Sequence, residues 1–406
     1  MAFSPLAGTK VLEMASGVAA SYCGKLLSDL GADVVKIESP AGGDPARSRG
    51  PFPDDVPHPE RSASFLYLNT GKKSITLDIY SSDGEILFAD LVRAFGADLL
   101  IEDFLPEQRQ ALAWKYERVT SLRRKMVMVS ITPFGLTGPC SNYKAVPLTT
   151  FHAGGEGYLL PGSEGWRLYP DREPLKWGGI ASEMVCGLSA AVGALAALFE
   201  QRVSGRGQHL DVSKQEALFS LNRIEMSRYP NEQFIESRAT RNLPVGGLVE
   251  CKNGFVVIMP LEPHMWDALV EAMGRPAWTQ EEIFRDPTSL LSHGEEATAM
   301  VAGWAKEHTK EEIYHNLQRN GCAVGIVSSA ADLFASEQLG SRNFFIPVDH
   351  PLAGLLEYPS VPYRFSDTEC EVRRAPLLGE HNQEIYVGLM GIAPADCVRL
   401  RTLGVI

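Results

Sequence analysis

The loop after the first predicted strand of this chain, Ala15 to Ser21, has no Gly-x-Gly-x-x-Gly, so a dinucleotide fingerprint is absent. Its seven cysteines are odd in number and lack metal-ligand spacing, and the nine histidines are scattered. Free thiols in a reducing cytoplasm are therefore expected rather than a disulfide frame, and no metal site is expected. Basic residues are in the minority. The 38 Lys and Arg face 50 Asp and Glu, a net charge of −12, which argues against nucleic acid or an anionic membrane as partner. An anionic cofactor needs only a local basic patch and stays open. No basic segment followed by an apolar run opens the chain, and no internal repeat or low-complexity tract interrupts it.

What is present reads as an α/β protein. Hydrophobic residues make up 45% of 406 positions, enough for a large domain and a smaller one. Val11 to Met14, a helix from Tyr22 to Leu30 closed by Gly31, and the strand Val34 to Glu38 form a β-α-β unit. That order implies a parallel sheet with a right-handed crossover. Further strands are expected at Ile75 to Asp78, Ala97 to Glu102 and Met126 to Ile131, with an exposed Pro/Gly-rich loop from Ser39 to Arg61. Residues 1–227 are read as the large domain, 228–247 as a polar linker, 248–325 as a small α+β domain, and 326–406 as a return segment. In the small domain Leu248 to Cys251 and Phe255 to Met259 make a hairpin around Lys252-Asn253-Gly254, and Thr309 with Glu312 forms a capping box.

The stretch Ala181 to Ala217 organises the rest. Ser182 is the expected N-cap of a small-residue helix, and Glu183 then lies in its first turn, where unpaired N–H groups favour an anion. Complementing the helix terminus is the plain role for such an acid; chemistry is the other. The apolar run Met184 to Phe199 reads as a buried helix rather than a membrane span. A turn at Ser204 to Gln208 leads to a strand, His209 to Ser213, and a helix near Gln215-Glu216-Ala217.

This acid, small-residue helix, GRGQ, strand and helix resemble the core of the family III CoA-transferases. LSDLGADVVKIESPAGGDPAR and the tail APLLGEH match the same pattern. The resemblance implies a Rossmann-like parallel sheet, an interlocked dimer, and acyl-CoA with a carboxylic acid as substrates. It implies CoA contacts at Val18 and Ala19 and at Asn69, Gly71, Lys72 and Lys73 of the Asn-x-Gly-Lys segment; Arg47 in the Pro/Gly-rich loop is a further candidate for a phosphate, and Arg109 is a candidate to deputise for the family arginine that aligns with Ala111. Two adjacent lysines would neutralise phosphate charge.

The departures are as informative. Glu183 stands where the family has its nucleophilic aspartate, and the extra methylene moves the oxygen by about 1 Å, which can cost on the order of 100-fold in rate. Glu107 replaces a glycine, Ala111 an arginine and Phe151 a glutamine, and Pro260-Leu261-Glu262-Pro263 stands in place of a glycine-rich lid. Val146 occupies the place of a racemase histidine, so racemisation is not expected. Together these imply a subunit working beside an aspartate-bearing paralogue, as in heteromeric succinyl-CoA:benzylsuccinate CoA-transferase. The acceptor would be an aromatic acid, suggested by Phe151, Tyr158 and Trp166, or a dicarboxylic acid. A self-sufficient enzyme using Glu183 and a non-catalytic acyl-CoA-binding scaffold are the alternatives.

Overall fold

The structure is a computed structural model that describes residues 4–112, 115–162, 165–166, 169–221, 223–240 and 245–406, with the side chains of 111 and 223–226 outside the description. Ala111 as a side chain and residues 241–244 of the expected linker thus lie outside the described residues.

Six strands form one parallel sheet: β1 Lys10–Met14, β2 Asp33–Glu38, β3 Lys73–Thr76, β4 Leu99–Glu102, β5 Val127–Thr132 and β6 His209–Ser213. Their spatial order is β3-β2-β1-β4-β5-β6, so the order reverses between β1 and β4. In open sheets of this kind ligands bind beyond the carboxyl ends of the strands at that reversal. Residues such as Leu12, Val35, Leu100 and Met128 have no exposed surface, as strands covered on both faces require.

Helix α1 (Val18–Asp29) follows β1 and packs on α2 (Ala181–Ser204). The approach is close: a Cβ on Gly187 would stand 2.4 Å from the Ala19 carbonyl oxygen. Only a residue without a side chain permits it. By length and composition α2 is long enough to cross a membrane, yet Cys186, Ala190, Ala194 and Ala197 are buried in the protein. Leu188, Val192, Phe199 and Val203 lie on its exposed side. After β6, helix α3 (Lys214–Phe219) begins under a Ser213 cap whose hydroxyl accepts from Glu216 N–H.

The chain divides into two compact units. The first comprises Met1–Glu156, Lys176–Arg223 and Gly340–Ile406; the second comprises Gly157–Leu175 and Ile224–Leu339. The second is therefore larger than the 248–325 span read from sequence, and the expected linker, 228–247, begins inside the helix Arg223–Glu232. Within it, β7 Gly247–Cys251, β8 Gly254–Ile258 and β9 Val324–Ile326 form an antiparallel sheet. The Thr309/Glu312 capping box is present. In the first unit, β10 Phe345–His350 and β11 Gly354–Pro359 form a hairpin. The tail then clasps the edge strand β3: Asn382 accepts from Thr76 N–H at 2.9 Å, and Tyr386 Oη donates to Thr76 O at 2.7 Å.

Candidate functional site

Under β1–β3 the basic residues that sequence assigned to CoA are engaged with acids of the same chain. Glu13 on β1 receives Lys36 at 2.8 Å and Lys72 at 2.7 Å, all three side chains without exposed surface. Lys36 also meets Asp44 at 2.7 Å. Burial pulls the Lys72 ammonium down to about 8 against the attraction of Glu13, and Lys36 adds to the fall. Burial works on Lys36 too, but Asp44, Glu13 and Glu38 together outweigh it and raise that ammonium.

Arg47 lies in a short helical turn rather than an exposed loop. It bonds Glu38 at 2.7 and 2.8 Å and Glu60 at 2.5 Å, and its guanidinium stacks over Phe65. Burial tends to raise Glu38, but the hydrogen bonds and charge of Arg47 hold it below the usual carboxylate range. Asn69 is buried as well, donating to Phe65 O and accepting from Lys72. Gly71, at φ +71°, adopts the left-handed turn that carries the chain past Ser28. As placed, Arg47 and Lys72 neutralise carboxylates of the core and present no charge to a ligand. Lys73 alone among these is partly exposed, 3.2 Å from Asp33 and 3.0 Å from Glu384. Arg109 is nearly buried, its Nε 3.4 Å from Glu102. Ala19 has no exposed surface.

At the sheet's order reversal there is a cavity of about 240 Å³. Met14, Ile37, Leu77 and Phe104 give it an apolar lining. Among the described residues its charged lining is four acids, Glu38, Asp44, Asp78 and Asp103, with no lysine or arginine. Asp103 sits over the start of α1, accepting from Gly17 N–H at 2.5 Å and Ser16 N–H at 3.2 Å. An anion from outside would compete with this carboxylate for those donors. Burial pushes the Asp103 carboxyl up, while Gly17 N–H and the Lys214 charge oppose it.

Glu183 is buried, 3% exposed, and is not turned into solvent. Its carboxylate is bound by Lys214 Nζ at 2.6 Å. The Ser182 cap expected from sequence does not form: α2 begins at Ala181 after Ile180, and the buried Ser182 hydroxyl has no partner among the described residues. Glu183 N–H is taken by Ile180 O at 3.1 Å, so it is not free to receive an oxyanion.

A second buried acid lies across β4–β6. Glu102 accepts from the Ser130 hydroxyl, which is 2.8 Å from His209 Nε2, and Tyr116 stacks on that imidazole. Burial raises Glu102 to about 7 although Arg109 and Ser130 oppose it. Burial, then Arg109, lowers His209. Phe151 is wholly buried against Trp177, which makes it a core residue, while Val146 is exposed. His381 bonds the β3 edge through Ser74 N–H. Sequence reading missed Lys214 and Asp103; the one available signal was a lysine directly before the Gln215-Glu216-Ala217 motif.

A parallel sheet with this strand order, an acid at the first turn of a glycine-alanine helix and a cavity at the reversal define a doubly wound α/β protein. The sequence pattern of CoA-transferase family III matches residues 6–382, and the chain belongs to that family. Formyl-CoA:oxalate CoA-transferase of Streptomyces coelicolor is 29% identical, with 100% of each chain covered. Succinyl-CoA–D-citramalate CoA-transferase of Chloroflexus aurantiacus is 28% identical, covering 99% of this chain and 98% of that protein. A CaiB/BaiF family protein from Brucella suis has the same fold, with a TM-score of 0.83, 28% identity, and coverage of 95% of this chain and 99% of that one.

Proposed function

We propose that this chain is a subunit of a CoA-transferase that moves CoA between an acyl-CoA thioester and a dicarboxylic acid, beside a paralogue carrying the nucleophilic aspartate. The observation that carries this reading is the buried ion pair of Glu183 with Lys214, at 2.6 Å. A carboxylate held this way, one methylene too long for the family's geometry, is poorly placed to attack a thioester. The acceptor class follows the printed substrates of the relatives, oxalate and citramalate, both dicarboxylates. An aromatic acceptor loses the support of Phe151, which is part of the core.

In the reaction, the paralogue's carboxylate attacks the thioester carbonyl, the C–S bond breaks, and an acyl anhydride and CoA thiolate result. The thiolate then attacks the enzyme carbonyl of the anhydride, releasing the donor acid and leaving an enzyme thioester. The acceptor carboxylate enters by the reverse steps. On this chain the cavity at the strand reversal would take a neutral or amino-bearing part of a CoA thioester, since Asp78 and Asp103, which have no ion pair among the described residues, repel phosphate while Glu38 and Asp44 already hold Arg47 and Lys36. Lys73, partly exposed, is the remaining lysine of the Asn-x-Gly-Lys segment for a phosphate contact. The exposed apolar side of α2, Leu188, Val192, Phe199 and Val203, supports burial against a second homologous chain.

The test is to purify the chain alone, add acyl-CoA and trap with hydroxylamine. No hydroxamate at Glu183 is expected without a partner, and acylation of the paralogue's aspartate is expected in a co-expressed complex. Hydroxamate at Glu183 in the isolated chain would establish the self-sufficient enzyme instead. One observation favours that second reading: Glu183 is buried at the start of α2 rather than facing solvent.

A further inference from the structure

We infer that Lys214 is a restraining residue that holds the Glu183 carboxylate in an ion pair and suppresses its acylation. This rests on the CoA-transferase reading and extends it to a residue outside the family pattern described above. The pair is held from both ends by regular structure. Glu183 is in the first turn of α2, and Lys214 opens α3, whose cap is Ser213. One turn beyond Glu183, the Cys186 thiol lies 3.2 Å from the Ser182 carbonyl oxygen and 3.6 Å from that of Lys214, so the start of α3 packs directly against the first turns of α2. The ammonium is therefore positioned, not merely nearby.

The chemistry gives this pairing a direction. When a carboxylate oxygen attacks a thioester, the C–S bond breaks and the negative charge leaves with the CoA thiolate. The new anhydride is neutral. Lys214, only 14% exposed, would then be left without its counter-ion, and a buried ion whose partner has been removed is strongly disfavoured. Asp103, another acid in its field, is already engaged by two backbone N–H groups. Lys214 thus opposes the covalent intermediate itself, in addition to occupying the attacking group.

The experiment compares the wild-type chain with K214M, K214Q and K214R. K214Q keeps a hydrogen-bond donor, so the comparison does not depend on K214M folding. Each is incubated with succinyl-CoA, trapped with hydroxylamine, and the Glu183 peptide is analysed by mass spectrometry. Removing the ammonium is expected to raise Glu183 hydroxamate roughly tenfold or more in K214M and K214Q, with K214R remaining at the wild-type level. Unchanged hydroxamate in variants that bind succinyl-CoA, by equilibrium dialysis, as well as the wild type does would overturn the inference. Carbodiimide coupling of Glu183 to a small amine reads the same restraint without CoA, with K214R as the reference because Lys214 itself would capture the activated carboxyl at 2.6 Å. If no form binds succinyl-CoA, the CoA reading fails, and this coupling decides the restraint: a rise in K214M or K214Q above K214R upholds it, and no rise overturns it.

Discussion

The two halves of the sheet use charge in opposite ways. Beneath β1–β3, Glu13, Lys36, Lys72, Asp44, Glu38 and Arg47 form a sealed network in which every cation meets an acid. Across β4–β6 and α2 the buried acids are less completely matched by cations. Glu102 is held by the Ser130 hydroxyl, Phe104 N–H and an imperfect arginine contact, and Glu183 by one lysine. The first half is built to stay fixed. The second contains the groups whose protonation or pairing can change, and the family's chemical position lies there.

The largest effect expected from breaking this contrast is at Glu13. Replacing it with leucine leaves two buried ammonium groups without their shared partner, a loss on the order of 3–5 kcal/mol or more. Urea denaturation should show an unfolded or severely destabilised chain. A loss under about 1 kcal/mol would mean that the network is not sealed.

Next comes Glu102, whose folded-state value near 7 lies above that of an unfolded glutamate. A folded state that binds the extra proton loses stability as pH rises from roughly 4.5 to 7. E102Q should remove that slope and stabilise the protein at pH 8 by up to about 3 kcal/mol, an upper figure because Arg109 is left with one acid fewer. Thermal midpoints of both proteins across this pH range would show it. Parallel curves would contradict the assignment.

The smallest stability effect belongs to Lys73, whose two ion pairs are partly solvent-exposed. K73A should change unfolding free energy by less than about 1 kcal/mol. If Lys73 meets a CoA phosphate, the same variant should weaken acyl-CoA binding and steepen less with salt, whereas equal binding would remove it from the site.

Much of the fold was legible because local signals sufficed. LGADVVKIE reads as helix end and strand from its glycine and its apolar run, and Asn253-Gly254 and Thr309/Glu312 mark the hairpin and the cap by themselves. The charged positions were a different matter. Lys72 and Arg47 occur in polar, glycine-rich segments that resemble a phosphate-binding surface. Their actual partners include Glu13, 59 residues from Lys72, and Glu38. A motif fixes which residue is present; only the folded chain decides which acid reaches it first. Glu183 was found through the helix it opens, whereas Lys214 lies 31 residues on, directly after β6, and its place before Gln215-Glu216-Ala217 says nothing of the acid it meets. Ser182 failed as a cap because the helix already begins at Ala181, with Ile180 at the cap position, and the hydroxyl is buried inside the first turn.

The most direct measurement of the proposed subunit role is CoA transfer from succinyl-CoA to a dicarboxylate in a complex reconstituted with a paralogue that bears the aspartate. E183Q in this chain should retain most of the activity, while converting the paralogue's aspartate to asparagine should abolish it. Loss of transfer in E183Q with the paralogue's variant still active would contradict the account and make Glu183 the nucleophile.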